Sequence, residues 1–249
     1  MNTLPSKRHG ELPNGLSEEK PASNLAALAT TNSLEQLSRL VVKQWSHAAE
    51  FARLAKHGIR PVDRLLFHGP PGNGKTMASQ WLAAKLDAPL YRVRCEMIVT
   101  AYFGQTASNL SEIMQWLSTQ PKCVVLFDEV EQLFTSRTLT HGVGAQEYGS
   151  AMTIFWQFLD RWDAPTLFVL ATNLPERVDA ALLSRIDLKM EFGPPTPEQM
   201  ANVIHYWQEV LHEFGGDEWG PRLAKRANYE SFRALFQEIQ NCVRMHVAR

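Results

Sequence analysis

The eight residues 69–76, G-P-P-G-N-G-K-T, constrain the fold of this chain more than any other stretch of its sequence. The spacing G-x-x-x-x-G-K-T lets successive backbone N–H groups point inward, because glycine reaches conformations that a Cβ would forbid. Such a loop binds phosphate, with Lys75 at the β- and γ-phosphates and the Thr76 hydroxyl on Mg²⁺. The motif therefore predicts a nucleotide triphosphate site formed by Gly69, Pro70, Pro71, Gly72, Asn73, Gly74, Lys75, Thr76 and Met77.

The residues around this loop support the same interpretation. The sequence RLLF before it is typical of a short buried strand, and MASQWLAAKL after it is typical of a helix. A glycine-rich turn without a ligand is the alternative. A dinucleotide-binding fingerprint is excluded, because Met77 stands where a third glycine would be needed.

Composition limits the class of partner. The 249 residues include 25 basic and 26 acidic side chains, so the balance of charge argues against nucleic acid as a partner. The three cysteines, Cys95, Cys123 and Cys242, are isolated and are predicted to be reduced thiols in the core. No stretch reaches the ~18 apolar residues of a membrane span, and the start lacks the apolar run of a signal peptide. We therefore expect a cytoplasmic protein without a membrane segment.

Strand-like and helical patterns alternate along the chain, which predicts an α/β fold: a parallel sheet sandwiched by helices, followed by a small all-α lid. The expected strands are RLLFH, LYRVRC, CVVLF, TLFVLAT and LKMEF. Helical spacing over residues 34–56 predicts one long amphipathic helix, and helices are expected at about 197–213, 218–226 and 231–248. We expect a flexible tail over residues 1–24, a helical lead-in over 25–60, a nucleotide-binding domain over 61–193 and a lid over 194–249.

Polar residues at the ends of two further strands complete the predicted site. The apolar strand CVVLF ends in Asp128 and Glu129, where Asp128 would hold Mg²⁺ and Glu129 would activate water. A solvated acidic helix start is the alternative for these carboxylates. Asn173 ends the strand TLFVLAT and could orient the water, although asparagine is also a common turn residue. Arg185 could spread charge on a phosphoryl group, with a surface salt bridge as the alternative.

These elements, in this order, resemble those of AAA+ ATPases, and specifically the AAA group that includes protein unfoldases and microtubule-severing enzymes. The resemblance covers about residue 34 to the end. It implies that residues 69–76 are Walker A, that VVLFDE is Walker B and that Asn173 is sensor 1. Arg185 resembles the arginine finger that reaches the ATP of a neighbouring subunit, which implies a ring, usually a hexamer. The sequence GIRP, residues 58–61, stands where the family packs its adenine.

The same resemblance bears on the substrate. TAYFGQT is similar to the first pore loop of the family, so Tyr102, Phe103 and Gly104 would face a central channel and grip a polypeptide. Packing of this loop against the sheet is the alternative for these residues. Two departures limit the comparison: Ala101 replaces the usual basic residue, which argues against severing, and SRID offers a single arginine. Arg233 stands where this group usually has alanine, and it is either a sensor 2 residue that touches phosphate or a solvated helix position.

The expected activity is thus Mg²⁺-dependent ATP hydrolysis by a ring that remodels or threads a protein substrate. Three alternatives stay open from the sequence. The first is a regulatory switch that assembles on a partner effector enzyme and gates it. The second is a nucleic-acid loader, whose ATPase activity DNA or RNA would stimulate. The third, a small-molecule kinase, leaves Asn173, Arg185 and the lid unexplained.

Overall fold

The computed structural model describes residues 12–20, 32–99, 105–133, 143–225 and 229–248. Within them a six-stranded sheet has the order β1-β3-β4-β5-β2-β6, in which β2 to β6 are parallel and β1 pairs antiparallel with β3. The strands are β1 Leu16–Glu19, β2 Arg64–His68, β3 Leu90–Arg94, β4 Cys123–Asp128, β5 Thr166–Thr172 and β6 Leu188–Glu191. The five expected strands are therefore present, and the predicted α/β fold class is confirmed.

Helices enclose the sheet and follow it. They are α1 Asn32–Leu37, α2 Lys43–Ser46, α3 Ala48–Leu54, α4 Lys75–Leu86, α5 Cys95–Ile98, α6 Gln105–Ser118, α7 Val143–Arg161, α8 Ala180–Leu183, α9 Pro197–Val210, α10 Gly216–Lys225 and α11 Phe232–Val247. Among the described segments, no helix combines the length and the apolar character needed to cross a bilayer.

Both faces of the sheet are buried because successive side chains of a strand point to opposite sides. On one face, Leu65 and Phe67 of β2 pack with residues of α1 and α4. On the other, Leu66 of β2 and Phe127 of β4 pack with residues of α6 and α7. The continuous apolar runs of β4 and β5 thus lie in the centre of three layers. All three cysteines are buried and free, as the sequence predicted.

The lead-in to β2 is helical but not one continuous helix. The helical backbone continues from α1 through a π-helical turn at Ser38–Val42 into α2, and it is interrupted at His47, with φ −107° and ψ 38°, before α3. The prediction of one long helix over residues 34–56 is wrong in this respect. The predicted apolar face is present in the first half of this segment, where Leu34, Leu37 and Val41 are buried against the sheet.

The expectation of a flexible tail over residues 1–24 is wrong for Leu16–Glu19. These residues form β1, whose backbone pairs with β3 from Leu16 opposite Val93 to Glu19 opposite Leu90. Leu16 is buried in the core on the α6 and α7 side. The polar composition of this segment hid the strand, because an edge strand of four residues is stabilised by its partner rather than by local preference.

Helices α9, α10 and α11 form the helical lid, with a core of its own. Its buried centre contains Ile204 of α9, Leu223 of α10 and Ile239 of α11. Helix α9 begins with a capping box, in which Thr196 and Gln199 exchange side-chain to backbone hydrogen bonds. The short connection from β6 to α9 carries Gly193, so the lid follows directly from the last strand of the sheet.

Candidate nucleotide-binding site

The glycine-rich loop lies between the end of β2 and the start of α4, as its sequence predicted. Gly69 has φ +131°, and a Cβ there would collide with the carbonyl oxygen of Phe192. Gly72 has φ +83°, and a Cβ there would lie 3.0 Å from the Cβ of Arg233. Both positions therefore require glycine, because the backbone conformation and the space exclude a larger residue.

Lys75 is the first residue of α4 and its side chain is nearly buried in the loop. Its Nζ donates hydrogen bonds to the carbonyl oxygens of Gly69 at 2.6 Å and Pro70 at 3.0 Å, and to Oδ1 of Asn173 at 2.7 Å. Burial lowers the pKa of Lys75, while the charges of Asp128 and Glu131 oppose this shift. The ammonium group is thus held by oxygen atoms of its own chain.

Asp128 ends β4 and Glu129 follows it, at the same edge of the sheet as the loop, because parallel strands end together. Glu129 adopts a left-handed conformation with φ 55° and ψ 49°, which is uncommon for a residue other than glycine. Burial raises the pKa of Glu129, and the neighbouring carboxylates of Asp128, Glu131 and Glu96 raise it further. A carboxylate with a raised pKa is a suitable acceptor for a proton from water.

Glu131 contributes to the site in a way that the sequence did not predict. Its Oε1 accepts a hydrogen bond from the backbone N–H of Asn173 at 3.3 Å. Asn173 therefore connects Glu131, through its backbone, with Lys75, through its side chain. The only sequence signal was the spacing of DEVE, which places a second glutamate on the helical turn that follows β4.

Arg92 is the second functional candidate that the sequence analysis missed. Its guanidinium bridges two carboxylates, with Nη1 3.1 Å from Oε1 of Glu19 and Nη2 bound to Oδ2 of Asp128. Burial acts to lower the pKa of Arg92, but the charges of Asp128 and Glu19 outweigh it and raise the pKa. A charged residue inside the strand LYRVR was the available signal, because such a residue needs a partner.

The donor chemistry of the site fits a magnesium ion. Thr76, the second residue of α4, offers a hydroxyl oxygen and Asp128 offers a carboxylate, and Mg²⁺ prefers oxygen ligands. An open cleft of about 550 Å³ is lined by Glu96, Glu129, Glu131 and Arg177. Negative charge around the carboxyl end of β4 favours a cation there.

A second cavity, of about 180 Å³, lies on the other side of the loop. It is lined by Asn73 and Gly74, by Leu34 of α1 and by Gly193 and Thr196 from the start of the lid. Asn73 is 3% exposed, and within the described part of the chain neither its Oδ1 nor its Nδ2 has a hydrogen-bond partner. A buried amide without a partner is costly, which indicates room for a polar ligand at this point.

Residues 58–61 are not among the residues that line this cavity, and the expectation that GIRP packs adenine stays a prediction. They precede the first residue of β2, whereas the phosphate loop follows its last residue. Arg60 instead donates a hydrogen bond to the carbonyl oxygen of Trp162 at 3.0 Å. The lead-in helix returns to the loop at its other end, where Leu34 lines the cavity.

Comparison with known proteins agrees with this geometry. The model of the ATPase family associated with various cellular activities (AAA) matches residues 65–194, which contain the loop, Asp128, Asn173 and Arg185. The chain belongs to the AAA family of ATPases. Family membership confirms the resemblance stated from the sequence.

Individual AAA proteins are similar to this chain over part of their length. An uncharacterised AAA family ATPase of Sinorhizobium fredii is 33% identical over 164 residues, which are 66% of this chain and 48% of that protein. The 26S proteasome regulatory subunit 7 of Dictyostelium discoideum is 31% identical over 192 residues, covering 75% of this chain and 44% of its own length. Its homologue in Saccharomyces cerevisiae is 30% identical over 207 residues, covering 81% and 44%. The chain therefore spans less than half the length of these relatives.

Arg233 lies at the phosphate loop of this AAA domain. Its backbone N–H, at the start of α11, donates to the carbonyl oxygen of Gly72 at 3.1 Å. Its charge is close enough to contribute to the lowered pKa of Lys75. Its side chain is exposed beside the loop, and its role as a sensor 2 residue stays a prediction.

Arg185 lies away from the site of its own chain. It precedes β6, where Asp187 donates its backbone N–H to the carbonyl oxygen of Arg64, the first residue of β2. The phosphate loop follows the far end of β2, and a strand of five residues spans roughly 16 Å. Arg185 binds Asp160 of α7 instead, with Nε 2.9 Å from Oδ1.

The predicted pore-loop residues Tyr102, Phe103 and Gly104 lie outside the described residues. Met77 is on α4 and is exposed, and Pro70 and Pro71 form the exposed part of the loop. Their roles stay predictions from the sequence.

Proposed function

We propose that this chain is a Mg²⁺-dependent ATPase that assembles into a ring, in which Arg185 of each subunit completes the site of its neighbour. One observation carries this proposal: Lys75, Asn173 and the carboxyl end of β4 meet at one edge of the sheet, while Arg185 lies towards the other. This separation supports a site in which Arg185 comes from a second chain.

Within this site each residue has a distinct task. Lys75 exchanges its bonds to Gly69, Pro70 and Asn173 for the β- and γ-phosphates of ATP. Thr76 and Asp128 would hold Mg²⁺, which offsets negative charge on the phosphates when it is bound. Glu129 accepts a proton from the attacking water, and Asn173, released by Lys75, orients that water. The cavity beside Asn73 receives the adenine, and Arg233 approaches the γ-phosphate.

Mixing two inactive variants tests the exchange of arginines between subunits. Arg185→Ala keeps its own site but lacks the arginine, whereas Glu129→Gln keeps the arginine but cannot activate water. Mixed rings should regain ATPase activity at interfaces where both intact parts meet, and activity per subunit of the native protein should rise with concentration. Arg161→Ala, a matched change of an exposed arginine, should behave as the native protein does. A concentration-independent rate with no recovery on mixing would refute the ring.

We further propose a protein as the substrate, because the relatives include subunits named as regulatory subunits of the 26S proteasome. Tyr102→Ala tests this role: a threading enzyme should lose protein remodelling and keep ATP hydrolysis. A switch that gates a partner enzyme should be indifferent to the change. Stimulation of the ATPase by DNA or RNA, with a steep salt dependence, would instead identify a nucleic-acid loader. A cytoplasmic location stays a prediction from the sequence.

A further inference from the structure

Arg92 joins the N-terminal strand to the carboxylate expected to hold the metal. Its two terminal nitrogens bind Glu19 of β1 and Asp128 of β4. Only 17% of the Asp128 side chain, 20% of that of Glu19 and 30% of that of Arg92 are exposed. Charges in such partly buried positions are screened less than those of a surface pair, so each influences the others.

Glu19 is also tied to the helix that follows the phosphate loop. Its second oxygen, Oε2, lies 3.4 Å from Nε2 of Gln80 on α4, while Oε1 accepts the hydrogen bond from Arg92. On the same strand, the hydroxyl of Ser17 donates to the carbonyl oxygen of Arg92 at 3.4 Å. The last residue of β1 is therefore linked to Asp128 through Arg92 and to α4 through Gln80.

We propose that Arg92 and Glu19 are positioning residues that set the affinity of Asp128 for Mg²⁺, so that docking of β1 on the sheet edge is linked to binding of Mg²⁺-nucleotide. The inference rests on the proposed ATPase function. It assigns to the segment ahead of the AAA domain a role in tuning the site.

The sign of each contribution follows from charge. Arg92 places one positive charge beside Asp128 and competes with a cation for it, whereas Glu19 offsets that charge. Removing Arg92 leaves Glu19 and Asp128 as two negative groups, which strengthens the binding of Mg²⁺. Removing the charge of Glu19, or undocking β1, leaves the charge of Arg92 uncompensated and weakens the binding of Mg²⁺. By reciprocity, Mg²⁺-nucleotide must stabilise the docked form of β1.

Titration of Mg²⁺ against a fluorescent ATP analogue, followed by its binding rather than by hydrolysis, measures these contributions. We expect Arg92→Gln to lower the Mg²⁺ concentration at half-maximal binding by about fivefold and Glu19→Gln to raise it by about fivefold. The double variant should return towards the native value. Glu18→Gln, an identical change at the exposed neighbouring position of β1, is the control and should match the native protein.

Hydrogen exchange of the backbone amides of Leu16–Glu19 gives a second readout on the native chain. Exchange should slow severalfold when nucleotide is added with Mg²⁺ rather than with EDTA, and Glu19→Gln should remove this difference. Two results would show that Arg92 and Glu19 form a merely structural pair. One is a change of the half-maximal Mg²⁺ concentration in the same direction for Arg92→Gln and Glu19→Gln. The other is an exchange rate in β1 that does not change when Mg²⁺-nucleotide is added. If the native chain bound no nucleotide in Mg²⁺, the ATPase proposal itself would fail instead. If Arg92→Gln did not fold, two measurements would still test the proposal. They are the comparison of Mg²⁺ binding by Glu19→Gln and Glu18→Gln, and the hydrogen-exchange experiment on the native chain.

Discussion

The guanidinium of Arg185 forms a bidentate pair with the carboxylate of Asp160, with Nε 2.9 Å from Oδ1 and Nη2 3.0 Å from Oδ2. Its remaining nitrogen, Nη1, donates to the carbonyl oxygen of Ala181, and the group stacks 5.4 Å from the ring centre of Trp156. The arginine proposed to serve a neighbouring subunit is therefore fully occupied on its own chain. Any role in the neighbour's site requires Arg185 to exchange Asp160 for phosphate.

Replacing Asp160 tests that exchange. We expect Asp160→Asn to raise ATPase activity per subunit by about two- to fivefold at low protein concentration, because a partly exposed ion pair holds the arginine by up to ~1 kcal/mol. The free energy of unfolding should change by no more than about that amount. The measurement is hydrolysis rate against protein concentration, with chemical denaturation in parallel. A loss of activity as complete as that of Arg185→Ala would mean that Asp160 presents the arginine to the neighbour.

Glu131 should affect the chemical step more than the binding of nucleotide. Glu131→Gln weakens the hydrogen bond to the backbone N–H of Asn173. We expect kcat to fall by about tenfold, because this factor corresponds to the loss of one hydrogen bond to a charged group. The affinity for nucleotide should stay within about threefold, because Lys75 is not removed. Single-turnover hydrolysis and analogue binding separate the two effects. Glu96→Gln is the control, since it removes a charge from the same cleft without a hydrogen bond to Asn173, and an equal loss of kcat there would contradict the assignment.

The half-buried carboxyl group of Asp63 makes stability depend on pH. Burial, with a contribution from nearby Asp187, raises the pKa of Asp63 from 3.8 to about 6, against the opposing charge of Arg64. Between these two pH values the folded chain binds more protons than the unfolded chain, so the free energy of unfolding falls as pH rises from about 4 to 6. Asp63→Asn should remove this slope and stabilise the protein by about 2 kcal/mol at neutral pH.

Urea denaturation at a series of pH values measures this effect. Asp163→Asn, the same change at an exposed position nearby, should leave the slope as it is in the native protein. An unchanged slope in Asp63→Asn would place the pH dependence in another group.

Alanine substitutions at two glycines should have opposite effects on stability, one through a steric clash in the phosphate loop and the other through the helix propensity of alanine. Gly69→Ala should destabilise the chain by about 2 kcal/mol or more, because the new Cβ would meet the carbonyl oxygen of Phe192 in a backbone conformation with φ +131°. Gly149→Ala in α7 has nothing within 4 Å of the new atom and should stabilise by up to about 1 kcal/mol. Thermal denaturation of both variants checks the contrast, and equal effects would refute the geometry of the loop.

Local patterns in the sequence were sufficient for much of this molecule. The parallel strands are apolar runs, and the loop at residues 69–76 has a fixed glycine spacing, so both could be recognised without knowledge of their neighbours. The strand Leu16–Glu19 could not, because its stability comes from pairing with β3 about 75 residues away in sequence. For the same reason Arg92 escaped notice: its partners Glu19 and Asp128 meet only when three strands are side by side. At the break, the side chains of Ser46 and His47 both hydrogen-bond to the carbonyl oxygen of Lys43 and compete with the helical backbone bond, which the hydrophobic periodicity could not indicate.

The hydrogen bond between Gly72 and Arg233 has a mechanical consequence. It ties the phosphate loop to one end of α11, a helix of 16 residues that is about 24 Å long. A displacement of the Gly72 carbonyl is therefore passed to the first turn of α11, whose Leu235 and Ile239 lie in the core shared with α9 and α10, so the phosphate loop and the lid are mechanically coupled.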